Sequence, residues 1–307
     1  MSHGCHRSSA ALVTEKDRAD TTVVRAVIVL ILASTGLLAQ QAPGVFKSSV
    51  DIVPVYATIT DATGAFTRGL TRDDFVVLDD GKPQQIVSFS EEAQAISVSV
   101  ILDTSGSMAE ARPKMLAAAG VFLDQLRPDD RAMLGSLVYA GRPFTSDKAR
   151  LRTAMDLIPP DPGSPVWAAV DRAVTALQPE TQRRVIVMYT DGQNTDVFTG
   201  LKATESSVRG RLETEGVMLY AIGFQGVSLS NGIKNMARRS GGRATELGKD
   251  DDLAKALVAI ADELHHQYLI GFTPVAFDGK SHKIEVQLNK PGLTVRARQQ
   301  YVAVRQP

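Results

Sequence analysis

Cysteine is almost absent: Cys5 is the only one in 307 residues. That excludes an intramolecular disulfide framework and any thiolate zinc cluster. Histidine is scarce too. Two of the five His stand within the first six residues, which leaves little for a His-rich metal site. Neither sign of charge is in excess, since 34 Lys and Arg balance 34 Asp and Glu. A general nucleic-acid binder or a polybasic membrane-surface binder needs a basic surplus, so both classes are excluded. Gly (24) and Pro (14) stand near average usage, which excludes collagen-like and low-complexity chains. Also missing are a G-x-S-x-G elbow, a Walker A loop and an H-E-x-x-H helix. Asp103-Thr104-Ser105 lacks the second Asp of a D-x-D phosphatase motif. The chain therefore reads as a non-enzyme.

What is present is the composition of a soluble globular protein, 44% hydrophobic and 22% charged. Its length suits two ordinary domains or one large one. The first 22 residues are polar and lack periodicity. Arg25 then precedes the apolar run Ala26–Ala39, 14 residues long and too short for the about 20 of a membrane span. A basic residue before the run and a small one at its end fit a secretory signal peptide cleaved between Ala39 and Gln40. Leu37, at the minus-three position, departs from the usual small residue. The length of the leader suggests a start nearer Val23 or Val24. An uncleaved anchor or a buried core helix are the alternatives. Export to the periplasm, the cell surface or the medium is expected. Cys5 lies before the run and so is no lipoprotein cysteine; cleavage leaves a chain without Cys, which suits an oxidising compartment.

The expected organisation is a leader over 1–39, a linker over 40–47, a β-rich segment over 48–92, an α/β domain over 93–266 and a second β-rich segment over 267–307. In the first β segment, VDIVPVYATIT from Val50 reads as a strand, and Pro54 marks it as an edge strand. Asp61–Gly64 reads as a turn. Phe75–Leu78 and Ile86–Phe89 read as a strand pair around Asp80-Gly81. From Ile96 on, strands alternate with helices. Strands are expected at 96–102, 131–139, 184–190, 216–224 and 243–247, and helices at 108–126, 148–157, 166–177, 201–214, 231–239 and 251–265. Central strands apolar throughout indicate a doubly wound, mostly parallel sheet covered on both faces. Strands return at 268–272, 283–288 and 293–298. Each flank is small for a core of its own. They are expected to pair into one small β-sandwich-like module around the α/β domain.

The chemistry concentrates where strand 96–102 ends, in Asp103-Thr-Ser105-Gly-Ser107-Met. Residues two apart on extended chain point the same way, so Asp103, Ser105 and Ser107 can converge, and Gly106 permits the turn. In doubly wound sheets ligands bind outside the carboxyl ends of the strands. Strand 184–190 ends in Asp191-Gly192 at that same edge. Ser164, in Gly163-Ser164-Pro165, adds a third hydroxyl. Carboxylates with hydroxyls are hard oxygen donors, suited to Mg²⁺, Mn²⁺ or Ca²⁺ and not to copper or zinc. The blander readings are helix caps for Ser105, Ser107 and Ser164, and a plain turn at Asp191. Asn194 and Asp196 read as loop residues and Trp167 as packing. Asp250–Asp252 reads as the acidic start of a helix, and His265-His266 as its solvated end.

The D-x-S-x-S motif, the downstream hydroxyl loop and the T-D-G strand end resemble the von Willebrand factor A domain with its metal-ion-dependent adhesion site, over roughly 94–266. The flanks resemble exported VWFA-related domain proteins abundant in acidobacteria. The resemblance implies a divalent cation, Mg²⁺ first and Mn²⁺ or Ca²⁺ as alternatives. Asp103, Ser105, Ser107 and Ser164 would hold it, with Asp191 acting through water. Ser164 stands where relatives carry Thr, keeping the hydroxyl and losing a methyl that helps fix its rotamer. A protein partner would supply an Asp or Glu carboxylate to the ion. The alternatives are a structural subunit of an envelope assembly with a purely structural metal, and a metal-dependent hydrolase.

Overall fold

The computed structural model describes residues 52–195, 203–224 and 226–305. The leader, Cys5, the linker, Asp196 and the first two residues of the helix expected at 201–214 lie outside them. Strands β1 (Val53–Thr60), β2 (Phe75–Asp79), β3 (Lys82–Gln84) and β4 (Ile86–Ser90) come first. Then follow β5 (Ile96–Leu102), α1 (Arg112–Gln125), β6 (Arg131–Ser136), α2 (Lys148–Asp156), α3 (Val166–Leu177) and β7 (Arg183–Thr190). Next are α4 (Glu205–Glu215), β8 (Met218–Gly223), α5 (Asn231–Arg239), β9 (Ala244–Glu246) and α6 (Leu253–Leu264). The chain ends in β10 (Tyr268–Phe272), β11 (Ser281–Leu288), β12 (Thr294–Ala297) and β13 (Gln300–Val302), the last not foreseen. Among the described residues no helix is long and apolar enough to cross a membrane.

The parallel sheet runs β6-β5-β7-β8-β9. Every residue of β5 is buried, as strands covered on both faces require. Ile96, Val98, Val100 and Leu102 pack toward α1 and α6, in a cluster with Met115, Phe122, Leu257 and Ile260. Ile101 belongs to the opposite layer with Val170 of α3, Leu212 of α4 and Ile233 of α5. The strand after β5 lies on one side of it and β7 on the other, so the order reverses at β5. That reversal opens a crevice at the carboxyl ends of β5 and β7, the usual place for a ligand in such sheets.

The remaining strands form two four-stranded antiparallel sheets, β12-β1-β10-β4 and β13-β11-β2-β3, around Val55, Ile59, Val77, Ile270, Phe272 and Ile284. Each sheet mixes strands from both flanks: β1 pairs with β10 and β12, and β2 with β11. Two details differ from expectation. β1 is an interior strand, and tolerates Pro54 because β12 pairs only with Ala57–Thr60, leaving Pro54 one neighbouring strand. The Asp80-Gly81 turn pairs β2 with the short β3, while β4 crosses to the other sheet beside β10.

The helix expected from Met108 starts at Arg112, after a 3-10 turn at Gly106–Met108, with Pro113 in its first turn. Asp252 caps α6 through Ala254 N and Lys255 N, as the acidic run suggested. The end of α6 is not simply solvated. His265 Nε2 lies 2.8 Å from the fully buried Asp130 carboxylate, and the His266 ring stacks on Phe66 at 5.3 Å.

Candidate functional site at the carboxyl edge of the parallel sheet

Asp103 is fully buried and Ser105 nearly so. The Asp103 N–H donates to Tyr189 O at 2.9 Å, extending the β5–β7 ladder one residue beyond Leu102. This register sets Thr190 beside Asp103, and Thr190 Oγ1 donates to Asp103 Oδ2 at 2.7 Å. The other carboxylate oxygen, Oδ1, accepts from Ser105 N at 3.0 Å and Ser105 Oγ at 2.5 Å. Ser107 Oγ donates to Asp191 Oδ2 at 2.7 Å, and the two serine oxygens stand 3.2 Å apart. Four of the five candidate residues thus form one chain from carboxylate to carboxylate.

Proton counting shows what this chain wants. A serine hydroxyl carries one hydrogen. Ser105 gives its hydrogen to Asp103, and Ser107 gives its own to Asp191. With both carboxylates ionised and each serine donating to its own carboxylate, no hydrogen remains for the 3.2 Å contact between the two hydroxyls, so oxygen faces oxygen there. That donor set fits a hard divalent cation bound through oxygen. Burial pushes the Asp103 carboxyl above the usual carboxylate range against the bonds from Ser105 and Thr190, and the like charge of Asp191 adds to the rise. Burial, then the Asp103 charge, push the Tyr189 phenol up to about 12. It therefore remains neutral near the site.

The capping readings do not describe these serines. The α1 N-cap is Ala111, without a side-chain cap, and Ser105 precedes the 3-10 turn without capping it. The α3 N-cap is Pro165, so Ser164 stands one residue outside. Ser164 N donates to Thr195 Oγ1 at 2.8 Å, and Thr195 N returns to Ser164 O at 2.9 Å. Its loop is thereby tied to the one following Asp191. Among the described residues its hydroxyl makes no hydrogen bond to the other four. Asn194 Oδ1 accepts from Trp167 N at 3.3 Å, which clamps the same two loops. Trp167 itself is half-buried packing against the α3–α5 layer.

Asp161 was not singled out from the sequence. Buried, it accepts five bonds: Thr104 N and Oγ1, Ser136 Oγ, Leu137 N and Val138 N, at 2.6–3.2 Å. It thereby anchors the backbone between Asp103 and Ser105 to the end of β6. Asp161→Asn puts an amide NH₂ among these donors. The expected loss is about 2–3 kcal/mol of stability, together with weaker cation binding. Denaturant melts in chelator check this, and a loss under about 0.5 kcal/mol would contradict the anchoring role.

A family model, von Willebrand factor type A domain, matches residues 97–259. No curated protein sequence matches the chain. Among solved structures, a von Willebrand factor type A protein from Catenulispora acidiphila is 11% identical, covering 84% of this chain and 76% of that one, with a TM-score of 0.49. Proximal thread matrix protein 1 from the mussel byssus is 18% identical over 67% of this chain, with a TM-score of 0.46. This chain spans 50% of that protein's length. The von Willebrand factor domain of the type V pili tip protein Mfa5 from Porphyromonas gingivalis is 12% identical, covering 55% of this chain and 95% of that one, with a TM-score of 0.45.

Proposed function

Because the chain belongs to the von Willebrand factor type A domain family, matched over more than half its length, we propose that it is an exported, non-enzymatic, metal-dependent protein-binding module. Asp103, Ser105, Ser107 and Asp191 hold a divalent cation at the carboxyl ends of β5 and β7. Ser164 is the fifth member, supplied by the loop pinned to Thr195. Mg²⁺ is the first choice, as a hard ion that keeps exchangeable waters; Mn²⁺ and Ca²⁺ satisfy the same oxygens. The observation that carries this reading is the serine pair facing oxygen to oxygen between two carboxylates. When bound, the ion neutralises the site's charge and offers a position to an Asp or Glu carboxylate of a partner. The leader-like segment supports export.

The test is an array of acidic peptides beside their Asn and Gln counterparts, probed with the full chain in Mg²⁺ and in EDTA. Binding confined to the acidic members, and lost in EDTA and in Asp103→Ala, is expected. Binding indifferent to both sinks the proposal. A cation that raises the melting temperature without any preference for acidic peptides points to the structural-subunit reading instead.

A further inference from the structure

The β-sandwich part carries a second cluster of metal-ligand type. Asp79 closes β2, Asp80 leads the turn into β3, and His282 lies on the adjoining β11. Asp80 adopts a positive φ of 47°, and its Oδ1 accepts from Lys283 N at 2.9 Å, which fixes the carboxylate beside the strand. Its Oδ2 lies 2.8 Å from His282 Nδ1. Asp79 is only 6% exposed, and its Oδ2 accepts from the Tyr301 hydroxyl at 3.0 Å. The Asp79 Oδ1 atom is buried without any hydrogen-bond partner. It points at the cluster, 3.6 Å from His282 Nδ1, beyond hydrogen-bond reach. A buried carboxylate oxygen left without a donor is unfavourable, and native structures rarely keep one without a reason.

The other side of the imidazole supplies a second sign. His282 Nε2 lies 3.1 Å from Asp278 Oδ1. Metal-ligating histidines commonly donate their far N–H to a carboxylate, which orients the ring and raises its basicity. With Nε2–H given to Asp278, Nδ1 faces Asp79 and Asp80. The ring is also held against Tyr301, with centroids 5.4 Å apart. The Asp79, Asp80 and His282 ligand atoms lie within 4.8 Å of one another. Ligands at about 2.0–2.2 Å from a tetrahedral ion stand about 3.3–3.6 Å apart, so the 2.8 and 3.6 Å separations from Nδ1 bracket what an ion needs.

We propose that Asp79, Asp80 and His282 form a second metal site, oriented by Asp278, for a borderline first-row divalent cation of the Zn²⁺ type. One imidazole nitrogen with two carboxylate oxygens suits such an ion better than Mg²⁺. The ion takes the place of the proton shared between Nδ1 and Asp80, and supplies the partner that Asp79 Oδ1 lacks. Asp80 is half exposed, so solvent reaches the remaining coordination positions.

The experiment uses the full chain carrying Asp103→Ala, which silences the sheet-edge site and separates the two proposals. Zn²⁺ titration by calorimetry is expected to show one saturable site per chain. Adding His282→Gln should weaken it by more than about a hundredfold, and Asp278→Asn by about 10–100-fold. Mg²⁺ at equal concentration should not compete. His282 is ion-paired with Asp80 and Asp278 and packs on Tyr301, so its variant is expected to melt lower in EDTA, and a single cooperative transition there verifies folding. Absent Zn²⁺ binding, or binding unchanged by His282→Gln and Asp79→Asn, overturns the proposal. His282 would then be an imidazolium ion-paired among three carboxylates.

Discussion

Asp103→Ala is expected to abolish saturable divalent-cation binding at the sheet edge while the chain still folds. Asp103 is the fully buried member of the site, and both of its oxygens align a neighbour. Oδ1 sets the Ser105 hydroxyl and amide, and Oδ2 receives Thr190. Removing it deletes a charge and frees the hydroxyl that faces Ser107. The affinity loss should exceed the 10–100-fold typical of outer-sphere changes. Thermal melts give a second, sign-dependent readout. Saturation at about 100 times Kd adds about 2.7 kcal/mol of stability, so Mg²⁺ should raise the parent's melting temperature and leave the variant's unchanged.

In chelator the pH dependence runs the other way. The folded-state value of Asp103 is raised, chiefly by burial, so its protonated form is favoured on folding. That contribution is complete below the unfolded carboxylate range, near pH ~3.9, and is lost as pH rises through the folded value. Asp103→Asn keeps the shape without the charge, and should flatten this decline in EDTA while still failing to bind Mg²⁺. A parent whose melting ignores Mg²⁺, or a variant that titrates like the parent, contradicts the assignment.

The legible parts of this molecule are those written in contiguous residues. β5, β7 and β8 are buried on both faces, and so appear in the sequence as apolar runs. The D-x-S-x-S segment lies in one loop, and its spacing alone brings three side chains together. Features set by distant partners were not legible. Pro54 reads as an edge signal because nothing local says that β12 stops at Ala57. Phe75–Leu78 and Ile86–Phe89 look like one hairpin until the partners β11 and β10 assign them to separate sheets. Asp161 is one Asp among many, and its role exists only because two distant segments, at Thr104 and at 136–138, aim donors at it. His282 stands 202 residues from Asp80, so no spacing rule could join them.

The largest loss of stability is expected from Glu263→Ala, at a position with no distinguishing sequence signal. Glu263 lies in the last turn of α6 and is 1% exposed. Its Oε1 accepts from the Tyr220 hydroxyl of β8, from Thr58 Oγ1 of β1 at 3.3 Å, and from Gln267 Nε2 at 3.4 Å. It also pairs with Arg296 Nη2 of β12 at 2.5 Å. Gln267 extends the network, donating to Thr58 Oγ1 at 2.6 Å and accepting from the buried Arg183. Arg183 in turn donates to Leu264 O at 3.0 Å and lies 4.3 Å over the Tyr56 ring. Burial, the largest single influence, lowers the Arg296 value; the charges of Glu263 and Tyr220 and the hydrogen bonds to both together outweigh it and raise it. Removing one partner of a buried pair costs about 3–5 kcal/mol because the other charge is left uncompensated. At about 2–4 °C per kcal/mol for a chain of this class, the melting temperature should fall by about 6–20 °C. The double variant Glu263→Leu with Arg296→Met should recover much of that loss, since replacing both charges removes the uncompensated one. A Glu263→Ala effect below about 1 kcal/mol would show the network to be dispensable. Thr58 and Arg296 come from the two β flanks, whereas Glu263, Tyr220 and Arg183 lie within 93–266. A fragment limited to 93–266 would therefore keep Glu263 without Arg296 and Arg183 without Tyr56. It should melt below the full chain by a margin that Glu263→Leu narrows.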